Sequence, residues 1–313
     1  MNGNDFSIAF DEAGRGSIFG PVFVGAVAFP SSNEKQKNLL RKLAGIKDSK
    51  KLSEKERLEW FKKFPDIFGK ENFSFGLASN EEINSYGISE AIRKASLEAL
   101  KKLPSNFTRF YFDGFINLRK DYPKILQFSE PKLDENNPFC SASSIIAKVK
   151  RDEFILSLES FFNEKWEVYK NKGYGTKKHF ELIKENGISN LHRKSFLAKF
   201  FEEKKELKII GNFSFGKVWE KKTCEKLIKL GHKILETNFE KVGVGEVDII
   251  SEKDNEVFFW EVKFRSNKSF GEKLGLIDKR KLERIKKVAE IYISQEREKG
   301  KSWKGVFFKA VFF

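Results

Sequence analysis

The sequence predicts two α/β domains in series, and three observations carry that reading. Strand-like and helix-like segments alternate through the first two-thirds of the chain. A charged run, Glu202-Glu203-Lys204-Lys205-Glu206, followed by Gly211-Asn212, then interrupts the pattern. A differently ordered set of elements follows it. A length of 313 residues also favours two domains over one. The boundary is placed after Glu206, giving domains at 1–206 and 207–313, both of ordinary size.

In the first domain, Ser7 to Phe10 reads as the end of a strand and Pro21 to Phe29 as an apolar strand rich in Val and Phe. Ser53 with Glu56 forms a capping box that opens a helix carrying Leu58, Trp60 and Phe61. Phe73 to Ala78 is a further strand. Ser89 to Leu103 has Ile92, Ala95, Ala99 and Leu103 at helical spacing. Arg109 to Asp113 is a strand ending in a carboxylate. Ser141 to Phe162 is a long helix that starts with small residues, and the segment to about Phe201 is helical around a Gly-Tyr-Gly turn at 173–175. The second domain reads αβββαβ. It has a helix at Phe215–Leu230 ended by Gly231, strands at His232–Asn238, Glu246–Ser251 and Val257–Phe264, a helix from Lys279 to Ile293, and a strand at Gly305–Phe312.

Composition narrows the function classes. With 40% hydrophobic residues and 34 Phe, the chain can bury a core in each half, which excludes a disordered protein. Its longest apolar run, Pro21 to Phe29, is about nine residues, against the ~18 of a membrane span. The start, Met1-Asn2-Gly3-Asn4-Asp5, has no secretory pattern, so a cytoplasmic location is expected. Cys140 and Cys224 are too few and too far apart for a disulfide framework or a zinc site, and Cys140 reads as buried apolar filler. The 60 basic residues exceed the 45 acidic ones by 15. That excess serves solubility or a polyanion partner such as nucleic acid. It is denser after Glu206, at +8 over 107 residues, than before it, at +7 over 206.

Candidate chemistry begins with Asp11-Glu12, read as lying directly after a strand, with Gly14-Arg15-Gly16 following at once. Two glycines let backbone approach a ligand closely, and the Arg between them can fork onto a phosphate. Asp113 ends another strand, and Asp134 precedes the small-residue helix. Carboxylates converging at strand ends repel one another unless divalent cations neutralise them. Oxygen donors without Cys or His point to Mg²⁺ or Mn²⁺.

Six motifs carry a family resemblance. They are Asp-Glu-Ala-Gly-Arg-Gly at 11–16, Asp-Ser-Lys-Lys-Leu at 48–52, Asp113-Gly114, Ser-Ala-Ser-Ser-Ile-Ile-Ala-Lys at 141–148 with Arg151-Asp152, Gly-Tyr-Gly-Thr at 173–176 with His179, and His-Arg-Lys-Ser-Phe at 192–196. In this order, across about residues 6–200, they resemble ribonuclease HII. The resemblance implies an RNase H-like fold and a four-carboxylate, two-metal site, with Asp11 and Glu12 as the opening pair, Asp113 third and Asp134 fourth. Glu135 is a neighbouring candidate for the fourth place, because Leu133 stands where the family usually has a small residue; Asp152 is a further acidic alternative that reads as structural. The implied activity is endonucleolytic hydrolysis of RNA in RNA–DNA hybrids, including a single ribonucleotide embedded in duplex DNA. Cleavage falls on its 5′ side and leaves 3′-hydroxyl and 5′-phosphate ends. Backbone of Gly14, Arg15 and Gly16 would contact the 2′-hydroxyl, Tyr174 would stack at the RNA–DNA junction, and Lys50 and Lys51 would hold phosphates. Lys47 departs from the Asn or Asp often found before the Asp-Ser pair. His179 and His192 read as structural or rim residues.

In the second domain, Glu261 and Lys263 lie two apart on a strand and so share a face, Asp248 lies on the neighbouring strand, and Glu220 lies on the preceding helix. An Asp, a Glu and a Lys so arranged could bind one metal and position a water for phosphodiester attack. Gly216 to Glu220, Gly245 to Asp248, Glu261 to Arg265, Phe270-Gly271 and the helix from Lys281 to Ile293 resemble the YraN-like family over about residues 212–313. That resemblance implies a compact PD-(D/E)xK, restriction-endonuclease-like core. Lys309 departs from it, since an Asp is usual there. The reading is a ribonuclease H enzyme with a C-terminal DNA nuclease or DNA-binding domain. Its rivals are a structure-specific DNA endonuclease acting through the second domain, and a basic DNA-binding adaptor with inactive sites. Retention of so many like charges argues against the adaptor.

Overall fold

The computed structural model describes residues 5–31, 33–114, 117–158, 165–202, 215–263 and 279–312. The chain divides into two compact units, Met1–Asn212 and Phe213–Phe313. Glu206, where the sequence suggests the cut, lies outside the described residues.

The first unit holds strands β1 (Phe6–Ala13), β2 (Val22–Pro30), β3 (Phe73–Ala78), β4 (Phe107–Asp113) and β5 (Leu126–Glu130), in the order β3-β2-β1-β4-β5. β1 is antiparallel to β2, and β2 to β3, while β4 is parallel to both β1 and β5. Its helices are α1 (Asn33–Lys42), α2 (Glu54–Phe68), α3 (Asn80–Tyr86), α4 (Ile88–Leu100), α5 (Leu133–Asn136), α6 (Pro138–Ser157), α7 (Val168–Asn171), α8 (Lys177–Asn186) and α9 (Lys194–Glu202). This is the α/β, RNase H-like arrangement that the motifs imply. The Ser53–Glu56 capping box is present at the start of α2.

The sheet is covered on both faces because its strands alternate. Ile8, Phe10, Phe110 and Phe112 pack against Ile92, Ala95 and Ala99 of α4. Ala9, Val27 and Phe29 face Phe139, Ile145 and Ile146 of α6. The small residues at 141–144 let α6 lie close on the sheet. A Cβ on Gly25 of β2 would stand 2.1 Å from the Ser143 carbonyl oxygen, and the Ser143 hydroxyl donates to Ala9 O at 2.9 Å.

Several expectations change. β1 runs through Asp11 and Glu12 instead of ending at Phe10, because β2 pairs with it along its whole length. The helix expected from Ser141 starts at Pro138, capped by Asn137, and is described to Ser157; Phe162, its expected end, lies outside the described residues. α1 and β5 are not apparent in the sequence. α1 is polar along most of its length, and β5 is a half-exposed edge strand.

The second unit comprises α10 (Phe215–Lys229), β6 (Lys233–Lys241), β7 (Gly245–Lys253), β8 (Glu256–Lys263), α11 (Lys279–Glu298) and β9 (Gly305–Phe312), the expected αβββαβ. Its sheet order is β6-β7-β8-β9, with only the last pair parallel. Val247, Ile250, Val257 and Phe259 pack on Ile285, Val288, Ala289 and Tyr292 of α11. Phe264, the expected end of the third strand, and Phe270-Gly271 lie outside the described residues. Among the described residues no helix is long and apolar enough to cross a membrane.

Candidate active site

The first unit's acidic cluster follows from strand order. β1 and β4 are parallel neighbours with Phe10 beside Phe112, so Asp11 and Asp113 end up side by side. Each lies one residue past that core phenylalanine, so both face the α6 side. α5, leading into α6, brings Asp134 to the same point. One carboxylate oxygen from each of Asp11, Asp113 and Asp134 lies within 4.8 Å of the others.

Glu12 is outside this trio. Adjacent strand residues face opposite ways, and its Oε1 meets Arg15 Nη1 at 3.3 Å. Glu135, the neighbouring alternative, faces Lys51 Nζ at 3.0 Å. Asp152 is held by Lys148 at 2.8 Å and Arg57 at 3.9 Å. Asp134 therefore joins the cluster and its two alternatives do not.

Burial and mutual repulsion dominate the electrostatics. Asp11 is only 5% exposed. Burial, then the charges of Glu12, Asp113 and Asp134, push its pKa well above the usual carboxylate range, against a hydrogen bond from Ser144. Asp134 is pushed up to about 7 by burial, by Asp113 and by the Asp48 carboxyl that hydrogen-bonds to it. Glu12 is also raised, mainly by burial and against the pull of Arg15. Lys50 is drawn the other way: burial alone would lower its pKa, but Asp11, Asp134, Asp48 and Asp113 raise it on balance.

This donor set fits a divalent cation. It is all oxygen, and Asp134 Oδ2 is buried with no hydrogen-bond partner among the described residues. Asp48 is a residue the sequence reading overlooked. It caps the Ser49–Lys51 turn by accepting from Lys50 N at 3.0 Å and stands against Asp134. Its signal in the sequence is the Asp-Ser-Lys-Lys motif, in which the acidic residue precedes the two phosphate-binding candidates Lys50 and Lys51. The turn is tied to the cluster through Ser49 Oγ, 2.7 Å from Ser144 Oγ.

Beyond Glu12 the chain turns at Gly14-Arg15-Gly16. Gly14 has φ +91°, where glycine is favoured, and Gly16 is exposed with open space around its Cα. This turn is knitted to the Gly-Tyr-Gly turn: Ser17 pairs with Tyr174 in an isolated bridge, and Ile18 N donates to Gly173 O at 3.0 Å. Tyr174 is half-buried, with the Arg151 guanidinium 5.0 Å and Lys148 Nζ 5.7 Å from its ring centre.

His179 and His192 are fully buried and support this turn. His192 Nδ1 accepts from Ser189 N at 3.0 Å, so its proton is on Nε2 and is donated to His179 Nε2 at 3.3 Å. His179 Nδ1 then donates to Tyr174 O at 2.9 Å. Burial lowers both pKa values, which keeps the pair neutral. Cys140 is buried too, and burial pushes its thiol pKa up.

In the second unit, the register that sets Ile249 opposite Trp260 brings Asp248 opposite Glu261, and Asp248 Oδ2 accepts from Val262 N at 2.6 Å. Glu261 is 3% exposed; its Oε1 pairs with Lys281 of α11, and its Oε2 has no partner among the described residues. Burial and the charge of Glu261 push Asp248 up to about 6, against the Val262 N–H and Lys281. Glu220 adds to the rise but does not complete a metal-binding trio, since Asp11, Asp113 and Asp134 form the sole such group among the described residues. The Lys263 backbone lies on β8; its side chain is outside the described residues. Lys281, missed in the sequence, is the cation the structure brings to Glu261. Lys309 pairs in register with Trp260.

The family model described as Ribonuclease HII matches residues 8–199, and that described as Uncharacterised protein family UPF0102, which is YraN-like, matches 219–311. The chain is 40% identical over 194 residues to Ribonuclease HII of Prochlorococcus marinus (strain MIT 9215), covering 61% of this chain and 89% of that one. It is 38% identical over 196 residues to Ribonuclease HII of Campylobacter jejuni, covering 62% and 93%. The crystal structure of ribonuclease H2 from Pyrococcus horikoshii aligns with a TM-score of 0.52 and 26% identity over 64% of this chain and all of that one. The chain thus belongs to the ribonuclease HII family, a type II ribonuclease H whose C-terminal unit matches the UPF0102 family.

Proposed function

We propose that the first unit hydrolyses RNA in RNA–DNA hybrids and incises duplex DNA on the 5′ side of a single embedded ribonucleotide, leaving 3′-hydroxyl and 5′-phosphate ends. The observation that carries this is the convergence of Asp11, Asp113 and Asp134 a few residues from the Gly14-Arg15-Gly16 turn. These three, with Glu12, would hold Mg²⁺ or Mn²⁺. Bound as a pair, such ions activate a water and stabilise charge on the leaving oxygen. The chain's own groups do the positioning. Lys50 and Lys51 offer ammonium groups to phosphates, with Lys50 beside the acidic cluster. The turn's N–H groups meet the 2′-hydroxyl, and Tyr174, steadied by the buried histidines, stacks on the junction. The test is incision of a DNA duplex containing one ribonucleotide, followed by end analysis. Incision at that nucleotide in Mg²⁺ or Mn²⁺, with none on the all-deoxy duplex, is the expected result. Equal cutting of both duplexes would refute the reading.

A second reading concerns the C-terminal unit. The buried, half-satisfied Glu261 opposite Asp248 supports metal-dependent DNA cleavage there, with Glu220 and Lys263 as further members of the site. In full-length Asp11→Asn protein, nicking of flapped or branched DNA in Mg²⁺ is expected, and Glu261→Ala should remove it. If Glu261→Ala nicks as well as its parent, the site is elsewhere. If the parent nicks no DNA but binds it, the unit is a DNA-binding module.

A further inference from the structure

Two arginines are buried beneath the Gly14-Arg15-Gly16 turn, neither of them in an ion pair with a described carboxylate, although the charge of Asp152 acts on Arg151. Arg193 is fully buried, and no described carboxylate pairs with it. Its Nη1 donates to the carbonyls of Gly14 at 2.7 Å and Arg15 at 3.0 Å, and its Nε donates to Gly20 O at 2.8 Å. Arg151, also fully buried, donates from Nη2 to Ser17 Oγ and to Lys172 O, both at 2.8 Å. Arg193 Nη2 and Arg151 Nε and Nη1 have no hydrogen-bond partner among the described residues.

Burying two like charges side by side is costly, and an apolar filler would pack these loops at lower cost. Burial and the nearby Arg151 both disfavour the charge on Arg193. What the guanidinium supplies is direction. Peptide units are planar and trans, so a carbonyl fixed inward holds the following N–H outward. With Gly14 O and Arg15 O turned onto Arg193, the N–H groups of Arg15 and Gly16 face the other way, at a position where Gly16 is exposed. The fit under the turn is tight, since a Cβ on Gly14 would lie 2.1 Å from Arg151 Nε.

We propose that Arg193 is a positioning residue for ribonucleotide recognition, aligning the N–H groups of Arg15 and Gly16 with the sugar hydroxyl from beneath, while Arg151 braces the turn. This rests on the reading of that turn as the 2′-hydroxyl contact. A purely structural arginine would affect every substrate alike, whereas a positioning arginine affects the discrimination between ribose and deoxyribose.

The test is fluorescence-anisotropy binding in Mg²⁺ with full-length Asp11→Asn protein, using a duplex with one ribonucleotide and its all-deoxy twin. The parent should prefer the ribonucleotide. Arg193→Gln should reduce that preference about tenfold, the worth of one oriented hydrogen bond, while affinity for the all-deoxy duplex stays within about threefold. Arg193→Lys, which keeps the charge but cannot span three carbonyls, should fall between them. An unchanged preference in folded Arg193→Gln overturns the proposal, as does an equal loss on both duplexes. Should Arg193→Gln fail to fold, Arg193→Lys and Gly14→Ala decide, and parental preference in both overturns it. A parent without any preference overturns the recognition reading itself, and the proposal with it.

Discussion

Asp11→Asn is expected to reduce incision at a single ribonucleotide by about a thousandfold or more, with the fold intact. Asp11 is buried: it receives a hydrogen bond from Ser144 and is surrounded by Glu12, Asp113 and Asp134. Asn keeps the volume and removes the charge that holds a divalent ion. Because the wild-type carboxylate is buried among like charges, its loss should leave the metal-free protein at least as stable. Single-turnover incision and a thermal melt measure the two effects. Incision within tenfold of wild type would remove Asp11 from the site.

Asp134→Asn is expected to raise Tm by roughly 4–8 °C at pH 8 in EDTA, from about 2 kcal/mol, and by less than half as much at pH 5, which lies above the unfolded pKa but below the folded one. The folded pKa, about 7, lies above the usual carboxylate value, so the folded state binds this proton more tightly than the unfolded chain does. The stabilisation is complete below the unfolded pKa and is lost as pH rises through about 7. Asn escapes that loss. His179 and His192, whose pKa values are lowered, act in the opposite sense below about 6.5, so the quantity to read is the difference between variant and wild type at each pH. Saturating Mg²⁺ should reverse the order at pH 8, since the wild type then gains binding energy that the variant lacks. A variant equally stabilised at both pH values would show that Asp134 is not titrating in this range.

The carboxylate cluster also shows where local reading stops. The apolar run Pro21–Phe29 and the Ser53–Glu56 box recur in the structure because each is set by neighbours within a turn or a strand. β1 runs past its expected end because pairing with β2 carries Asp11 and Glu12 into the sheet, overriding their poor strand propensity. β5 shows little signal because an edge strand buries only part of one face.

By itself the sequence determined the alternation of elements, the motif order that marks the family, the oxygen-only donor chemistry and the concentration of positive charge toward the C-terminus. The tertiary structure decided which acidic residues meet. Strand order placed Asp11 beside Asp113, and α5 selected Asp134 over Glu135, which faces Lys51 instead. It also revealed Asp48, Lys281, and the buried Arg151 and Arg193, whose partners lie on segments remote in sequence. Periodicity depends on a few consecutive residues, whereas the convergence of charges depends on register and burial across loops of many tens of residues. Those long-range terms raise the pKa of Asp134 and fix the outward N–H groups of the turn, and no local pattern encodes them.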